Sequence, residues 1–563
     1  MAELTPRQQI TSRWGVLKSE RATWWAHWAE ITAYLSPRQG RYFITDRDRG
    51  GKRHGNIYDN TGLRALSVLA AGLMGGLTSP ARPWFALATT DRDMNKQPAV
   101  KQWLNDCTQL MLTVFQKSNT YRALHSVYRE LGAFGTGAFI IAPDATNVIH
   151  CHPITIGEYA IATNFQGRVD TLYREFQLTV GQLVKEFGID NVSPGTRNMY
   201  ERGTLDSWVT VLHAIEPRSD RDPSKLDAMN MAWRDIYLEQ GNAEGKFLRE
   251  SGFERFPAVC PRWDVAGGDI YGNSPGMEAL GDVKQLQHQQ LRKAQAIDYQ
   301  VNPPLQVPTS MKNRDIERLP GGITFVDAAG GGKAVQSAFE VNLNLQYLLT
   351  DIQDVRQRIN QSFFLDLFMM ISQDNAATTR MTATEVAERH EEKMLMLGPV
   401  LERLQDELLT PLIKSTFHEM VDRRILPPPP PEMQGVQLSV ELVSMLAQAQ
   451  RAVVTNGIDR FSAALGQVAQ FKPEVLDKFD ADKWADEYSD ALGVNPDLIV
   501  SEDQVQQIRQ QRAQQQAQAA KAQQQLVQSQ VAKNLGQTPT TGGNAASDVL
   551  GLYSQGLSST PGG

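Results

Sequence analysis

Cysteine is scarce in this chain. Cys107, Cys151 and Cys260 are its only three, an odd number too widely scattered for a disulfide framework, which fits a reducing compartment. An excess of positive charge is also missing. With 56 Lys and Arg against 63 Asp and Glu, the net charge of −7 argues against a protein that wraps duplex DNA by neutralising its phosphates. Long apolar runs are absent too. The longest, LSVLAAGLMGGL at 66–77, is far short of the roughly 20 residues of a membrane-spanning helix, and no charged-then-apolar leader opens the sequence. The expectation is a protein neither secreted by a leader nor spanning a membrane.

What is present is enough for two or more domains: 563 residues, 41% of them hydrophobic and 21% charged, an ordinary globular balance. Thr5-Pro6 reads as a helix start, and Trp14, Leu17, Trp24, Trp28, Ile31 and Leu35 follow a three-four spacing until Pro37. Further helices begin near Thr61, at Pro98 and at SNTYRALHSVYREL. After GAFGTG the period shortens. AFIIAP, NVIHCHPI, EYAIATNFQGRVDTLYREFQL, WVTVLHAIEP, MAWRDIYLEQ and FPAVCPRWD are β-branched and aromatic runs broken by Gly and Pro, hence strands and hairpins. Residues 1–275 are therefore α+β, and from Gly276 the chain is mostly helical with a strand-and-loop interruption at 302–340. Pro427–Pro431 read as a stiff spacer. Ser501 and Gln504 open a Gln/Ala helix to about residue 535, and the Gly-, Ser- and Thr-rich end from Gly536 has a disordered composition.

Motifs for chemistry fail on inspection. GGGK at 330–333 lacks the leading glycine and the following Ser or Thr of a phosphate loop, Asp327 and Ala334 standing there instead. His150-Cys151-His152 lies in a predicted strand, both histidines on one face, with no second ligand pair at zinc spacing. GAFGTG precedes a strand, opposite to a dinucleotide fingerprint. Asp264 and Asp269 sit in a Gly-rich loop without a third carboxylate. The sequence offers no case for an enzyme, a metal or a cofactor.

GDVKQLQHQQLRKAQAIDYQVNPPLQVP raises a different question. Its helix carries a narrow apolar stripe of Leu280, Val283, Leu291, Ala294, Ile297 and Val301, while Lys284, His288 and Arg292 recur every fourth residue on another face. A second narrow-striped helix follows the interruption, with Leu345, Leu348, Ile352, Val355 and Ile359. An ordinary core helix shows the core a broader apolar face, and an ordinary surface helix rarely runs this long.

The phrases LAAGLMGGLTSPARPWF, ELGAFGTGAFII, YGNSPGMEALGDVKQL, VNPPLQVP, RMTATEVAER and FKPEVLDKFDADKWADEYSDALGV, in this order, resemble the portal, or head-to-tail connector, proteins of short-tailed bacteriophages. The resemblance runs from the first helix to about residue 500. It implies an α+β portal-type fold assembled as a twelve-subunit ring around a channel for double-stranded DNA. In that layout 1–275 is the wing, 276–301 and 343–366 the two stem helices, and 302–342 the clip. A tunnel loop would span 367–381, a long kinked helix 382–426, a crown 427–500 and a helical barrel 501–535. The implied partners are the packaging terminase, tail adaptors, and the major capsid and scaffolding proteins, in the virion and, during assembly, the host cytoplasm.

Within this layout Lys284, His288, Arg292 and Lys293 are candidates to touch DNA in the channel, solvated stem surface or bridges to Asp351 and Asp354 being the alternative. Gln373, Asp374, Asn375 and Arg380 are tunnel-loop candidates. Lys312, Arg314, Asp315 and Glu317 form a mixed-charge stretch for partner contacts in the clip. A helical adaptor or scaffold without a channel is the competing reading.

Overall fold

The computed structural model describes residues 5–301 apart from 47–49, 52, 96, 226 and 242–245, and then 305–306, 336–337, 345–372, 397–433, 438–443, 461–492, 500, 502–537, 539–540 and 543–544. The chain divides into two compact units, Met1–Ala464 and Leu465–Gly563.

In the first unit α1 (Pro6–Tyr34) starts at a capping box, Thr5 and Gln8 each accepting from the other's backbone N–H, with Pro6 in the first turn. Its stripe packs as the spacing predicts, with Trp14, Leu17, Trp28, Ile31 and Leu35 buried. One member of that face is a surprise. Arg21 is 1% exposed, donating to Gly157 O (2.9 Å) and Tyr159 O (2.7 Å) with its guanidinium over the Trp14 and Trp25 rings. Carbonyl acceptors and aromatic faces together offset the cost of taking a cation out of water.

Helix α2 (Thr61–Leu77) is followed by β1 (Phe85–Thr89), a short α3 (Arg92–Asn95), α4 (Pro98–Lys117) and α5 (Thr120–Phe134). On α4 Cys107, Met111 and Leu112 are buried while Leu110 is 38% exposed. The GAFGTG segment ends α5 with Gly135 at φ +73°, a left-handed cap. An added Cβ there would run into the Gly272 carbonyl, so glycine is needed twice over.

Two antiparallel sheets follow. β2 (Ala138–Asp144) lies between β3 (Val148–Ile154) and β9 (Ala258–Val259). β4 (Tyr159–Thr163), β5 (Val169–Thr179), β6 (Trp208–Pro217), β7 (Trp233–Glu239) and β8 (Arg249–Phe253) form a meander in chain order, with α6 (Val180–Phe187) and α7 (Pro194–Glu201) between β5 and β6. Strand alternation puts His150 and His152 side by side, ring centroids 4.5 Å apart, and turns Cys151 into the core.

The helical part differs from its expected boundaries. A one-turn α8 (Pro275–Glu278) breaks at Ala279 before α9 (Leu280–Val301), and the fragments β10 (Leu305–Gln306) and β11 (Gln336–Ser337) pair beyond it. α10 (Leu345–Ser362) stops at Phe363-Phe364, where Phe364 has φ +54°, and α11 (Leu365–Ser372) follows. The stretch expected to open a loop at 367 therefore begins as helix, because LFMMI is apolar and packs: Leu367 and Phe368 are buried.

Residues 397–422 are helical, with a π turn at Gln405–Leu409 before α12 (Thr410–Asp422). Pro411 offers no N–H to the carbonyl four residues back, and Thr410 N–H instead reaches Gln405 O. The turn aims Glu407 at Arg262, which donates through its backbone N (2.9 Å) and Nε (3.2 Å) to Oε2 and through Nη2 (2.5 Å) to Oε1. After the prolines Trp103 Nε1 donates to Pro427 O, and β12 (Leu438–Leu442) pairs with β1, so the start of the segment expected as crown, 427–500, is joined to a strand of 1–275. A proline run has no donors but does not prevent the strand after it from pairing.

In the second unit, α13 (Ala481–Leu492) precedes α14 (Glu502–Gln537), the Gln/Ala helix, and Arg509 forks onto both oxygens of Asp482 at 2.7 Å. A short hairpin, Pro539–Thr540 with Gly543–Asn544, follows. The remainder of the expected disordered tail lies outside the described residues.

Helices α2 and α11 approach each other closely. Gly72 on α2 faces Phe368 on α11, and a Cβ added there would overlap the ring. Alanine's helix preference is worth about 1 kcal/mol, whereas overpacking costs about 1–3 kcal/mol, so Gly72→Ala is expected to destabilise. Phe368→Leu should restore part of the loss in a denaturant titration of the double variant.

Candidate functional site

Helices α9 and α10 run antiparallel, since Asp282 pairs with Arg358 (3.2 Å) and Gln289 donates to Asp351. Their burial is uneven. At one end Leu280, Val283 and Leu286 of α9 and Ile352, Val355 and Ile359 of α10 are inside the core. At the other end Ile297 (39%), Tyr299 (54%), Val301 (80%), Tyr347 (77%) and Leu349 (42%) face outward.

The buried end is joined by hydrogen bonds to one carboxylate, Asp59, whose side chain is 6% exposed. Oδ1 accepts from Thr61 N (2.8 Å) and Thr61 Oγ1 (2.5 Å) at the start of α2. Oδ2 accepts from Arg356 of α10 (Nη2 2.6 Å, Nε 3.2 Å) and from Gln290 of α9 (3.1 Å). One turn earlier, buried Gln287 accepts from Tyr58 N (2.6 Å) and Asp59 N (2.8 Å) and donates to Asp59 O (2.9 Å). Burial alone would raise this carboxyl's pKa, but the hydroxyl, guanidinium and N–H donors outweigh it and hold it below the usual range. Sequence reading missed all four residues. The available signals were Asp59 two residues before Thr61, ahead of an apolar run, and two glutamines three apart beside the stripe.

The expected channel residues fall in different settings. Lys284 pairs with Glu30 of α1 at 3.1 Å and lies over the Tyr34 ring. His288 is exposed, Arg292 is exposed and donates to Gln295 Oε1 (3.2 Å), and Lys293 is half-buried. The acids offered as alternative partners are engaged elsewhere, Asp351 by Gln289 and Asp354 by Arg358 at 2.7 Å. Gln373, Asp374, Asn375 and Arg380, and Lys312, Arg314, Asp315 and Glu317, lie outside the described residues. Among the described residues no group of three or more His, Cys, Asp or Glu could hold a metal ion, and no helix is long and apolar enough to cross a membrane.

Residues 7–500 match the family model described as bacteriophage head to tail connecting protein. The chain belongs to this family. A probable portal protein of Bordetella phage BPP-1 is 60% identical over 554 residues, covering 98% of this chain and 100% of that protein. The portal protein of Salmonella phage epsilon15 is 45% identical over 551 residues, 98% of each. Among solved structures, a chain from the virion of a native gene transfer agent particle covers 83% of this chain and 99% of its own at 11% identity and a TM-score of 0.37. Another, from the neck of the native particle computed with C12 symmetry, covers 77% and 94% at 12% identity and a TM-score of 0.34. Likenesses at that level carry no argument about geometry.

This connector is thus a portal protein of the phage virion, placed at the head–tail junction, with the mixed helix-and-sheet fold expected of it. The start of α2 and helices α9 and α10 meet at the Asp59 knot. Charged hydrogen bonds in such a site are worth about 1.5–3 kcal/mol, so Asp59→Asn is expected to destabilise the chain by about 1–3 kcal/mol at neutral pH. Because the folded carboxyl titrates below its unfolded value of about 3.9, this advantage is present above that value and is lost as pH falls through the lower, folded one. Denaturant midpoints of the two proteins should therefore differ by a constant amount from pH 7 to 5 and converge at more acid pH.

Proposed function

We propose that this portal protein assembles into a closed ring, of twelve subunits, whose lumen conducts double-stranded DNA into the head during packaging and out during ejection. The observation that carries this is the graded stem. Its wing half is buried and bolted within one chain, while its far half presents Ile297, Tyr299, Val301, Tyr347 and Leu349 to the outside. Such a set is what neighbouring copies of the stem would cover in a ring. The net charge of −7 supports a conduit rather than a clamp, because a basic lining would hold the duplex instead of letting it slide.

In this reading His288, Arg292 and Lys293 meet phosphates transiently, and Lys284 joins them only by leaving Glu30. Gln373, Asp374, Asn375 and Arg380 contact DNA from the tunnel loop. Lys312, Arg314, Asp315 and Glu317 contact the terminase first and the tail adaptors later. The capsid and scaffolding proteins surround the ring at its vertex.

End-on classes in single-particle electron microscopy should show rings with a hole wide enough for duplex DNA, and a closed oligomer without a lumen would favour a helical adaptor. The pair Ile297→Asp and Tyr299→Asp should abolish ring formation while leaving the monomer's thermal unfolding unchanged; intact rings would overturn the stem assignment. Removing 373–380 should lower genome content per particle without preventing ring assembly. Charge reversal at Lys312 and Arg314 should weaken terminase binding, and undiminished packaging and binding in these variants would refute the loop and clip roles.

A further inference from the structure

The connection between α1 and α2 is basic in an acidic chain. From Ser36 to Tyr58 it carries six Arg and Lys against two Asp, where the whole chain stands at −7. Its beginning is built rather than loose. Gly40 N donates to Thr155 Oγ1 (2.8 Å), Arg41 N to Ile156 O (2.8 Å), and Arg41 pairs with Glu158 (2.7 Å). The Tyr42 hydroxyl meets Thr32 Oγ1 (2.6 Å) and its ring stands edge-on to Trp25, centroids 5.2 Å apart.

These contacts shape a cavity of about 350 Å³ lined by Arg38, Arg41, Tyr42, Phe43, Asp46 and Arg53, within the roughly 300–1,000 Å³ of ligand pockets. Three guanidinium groups thus share it with one carboxylate. Arg53 reaches Asp46 at 3.4 Å with both side chains partly exposed, a pairing that a better acceptor can replace. Beside them the Phe43 ring is 71% exposed.

Guanidinium forks suit phosphate, and an open aromatic face suits a stacked base. We propose that this cavity binds single-stranded nucleic acid, Arg38 and Arg53 taking backbone phosphates and Phe43 stacking on a base. A duplex hides its base faces, and an acidic peptide would engage the arginines but leave Phe43 without a role. The site lies off the stem and does not rest on the ring reading.

The test is fluorescence anisotropy of a short fluorescein-labelled oligo(dT) with the full-length protein over a salt series. Arg38→Gln with Arg53→Gln should weaken binding at least tenfold and flatten the slope of log affinity against log salt by about 0.7 for each phosphate no longer neutralised. Phe43→Ser should weaken it about tenfold with the slope unchanged. Thermal unfolding of each variant, expected to match wild type, separates these effects from misfolding, and duplex binding should be indifferent to all three changes. Equal oligo(dT) affinity in wild type and variants overturns the proposal. So does binding that Phe43→Ser leaves intact and poly-glutamate displaces in proportion to charge, an outcome that makes the cavity a dock for an acidic protein segment.

Discussion

A buried carboxylate that serves three helices at once constrains everything around it. Asp59 accepts from the first turn of α2, from Gln290 on α9 and from Arg356 on α10, so the three helices share one set of hydrogen bonds. Removing any partner leaves the others desolvated without compensation, which is more costly than the net worth of any single bond. The knot thereby sets how α9 and α10 lie against the start of α2. Apolar packing at Val283, Leu286, Val355 and Ile359 supplies the bulk of the attraction there, but it is non-directional, and the polar contacts select one register.

A second directional anchor centres on Arg262. Arg262 is buried and forks onto Glu407, which a π turn before Pro411 presents to it, and the same guanidinium donates to Gly167 O at 2.8 Å in the hairpin between β4 and β5. A helix defect, a strand-edge arginine and a hairpin tip are thus held together. With Arg21 under α1, these buried arginines do what leucines could not, satisfying backbone carbonyls that the sheets leave open.

Helices α9 and α10 show how one helix can serve two environments. Near the knot α9 and α10 are ordinary core helices; farther out their apolar side chains lie open in the single chain. The narrow stripe legible in the sequence has this division as its cause, because no single broad face is buried along the whole length. Leu280 and Val283 of that stripe are inside the core, whereas Ile297 and Val301, on the same stripe, are exposed. Periodicity reports that a side chain is apolar and on which face it lies, and cannot distinguish a neighbour in the same chain from one in another.

By itself the sequence determined the element types, from the capped aromatic first helix through the β meander to the Gln/Ala helix, because these follow from local spacing, caps and turn residues. It also carried the family, in the order of its phrases. What only the tertiary structure decided were the long-range polar pairings: Asp59 with Arg356, Gln287 with the loop before α2, Arg262 with Glu407, and β1 with β12 across the proline run. Each joins residues far apart in the chain, and each depends on burial. A glutamine or an arginine has no periodic signature marking it as interior; only the removal of water around it turns an ordinary surface side chain into a structural one.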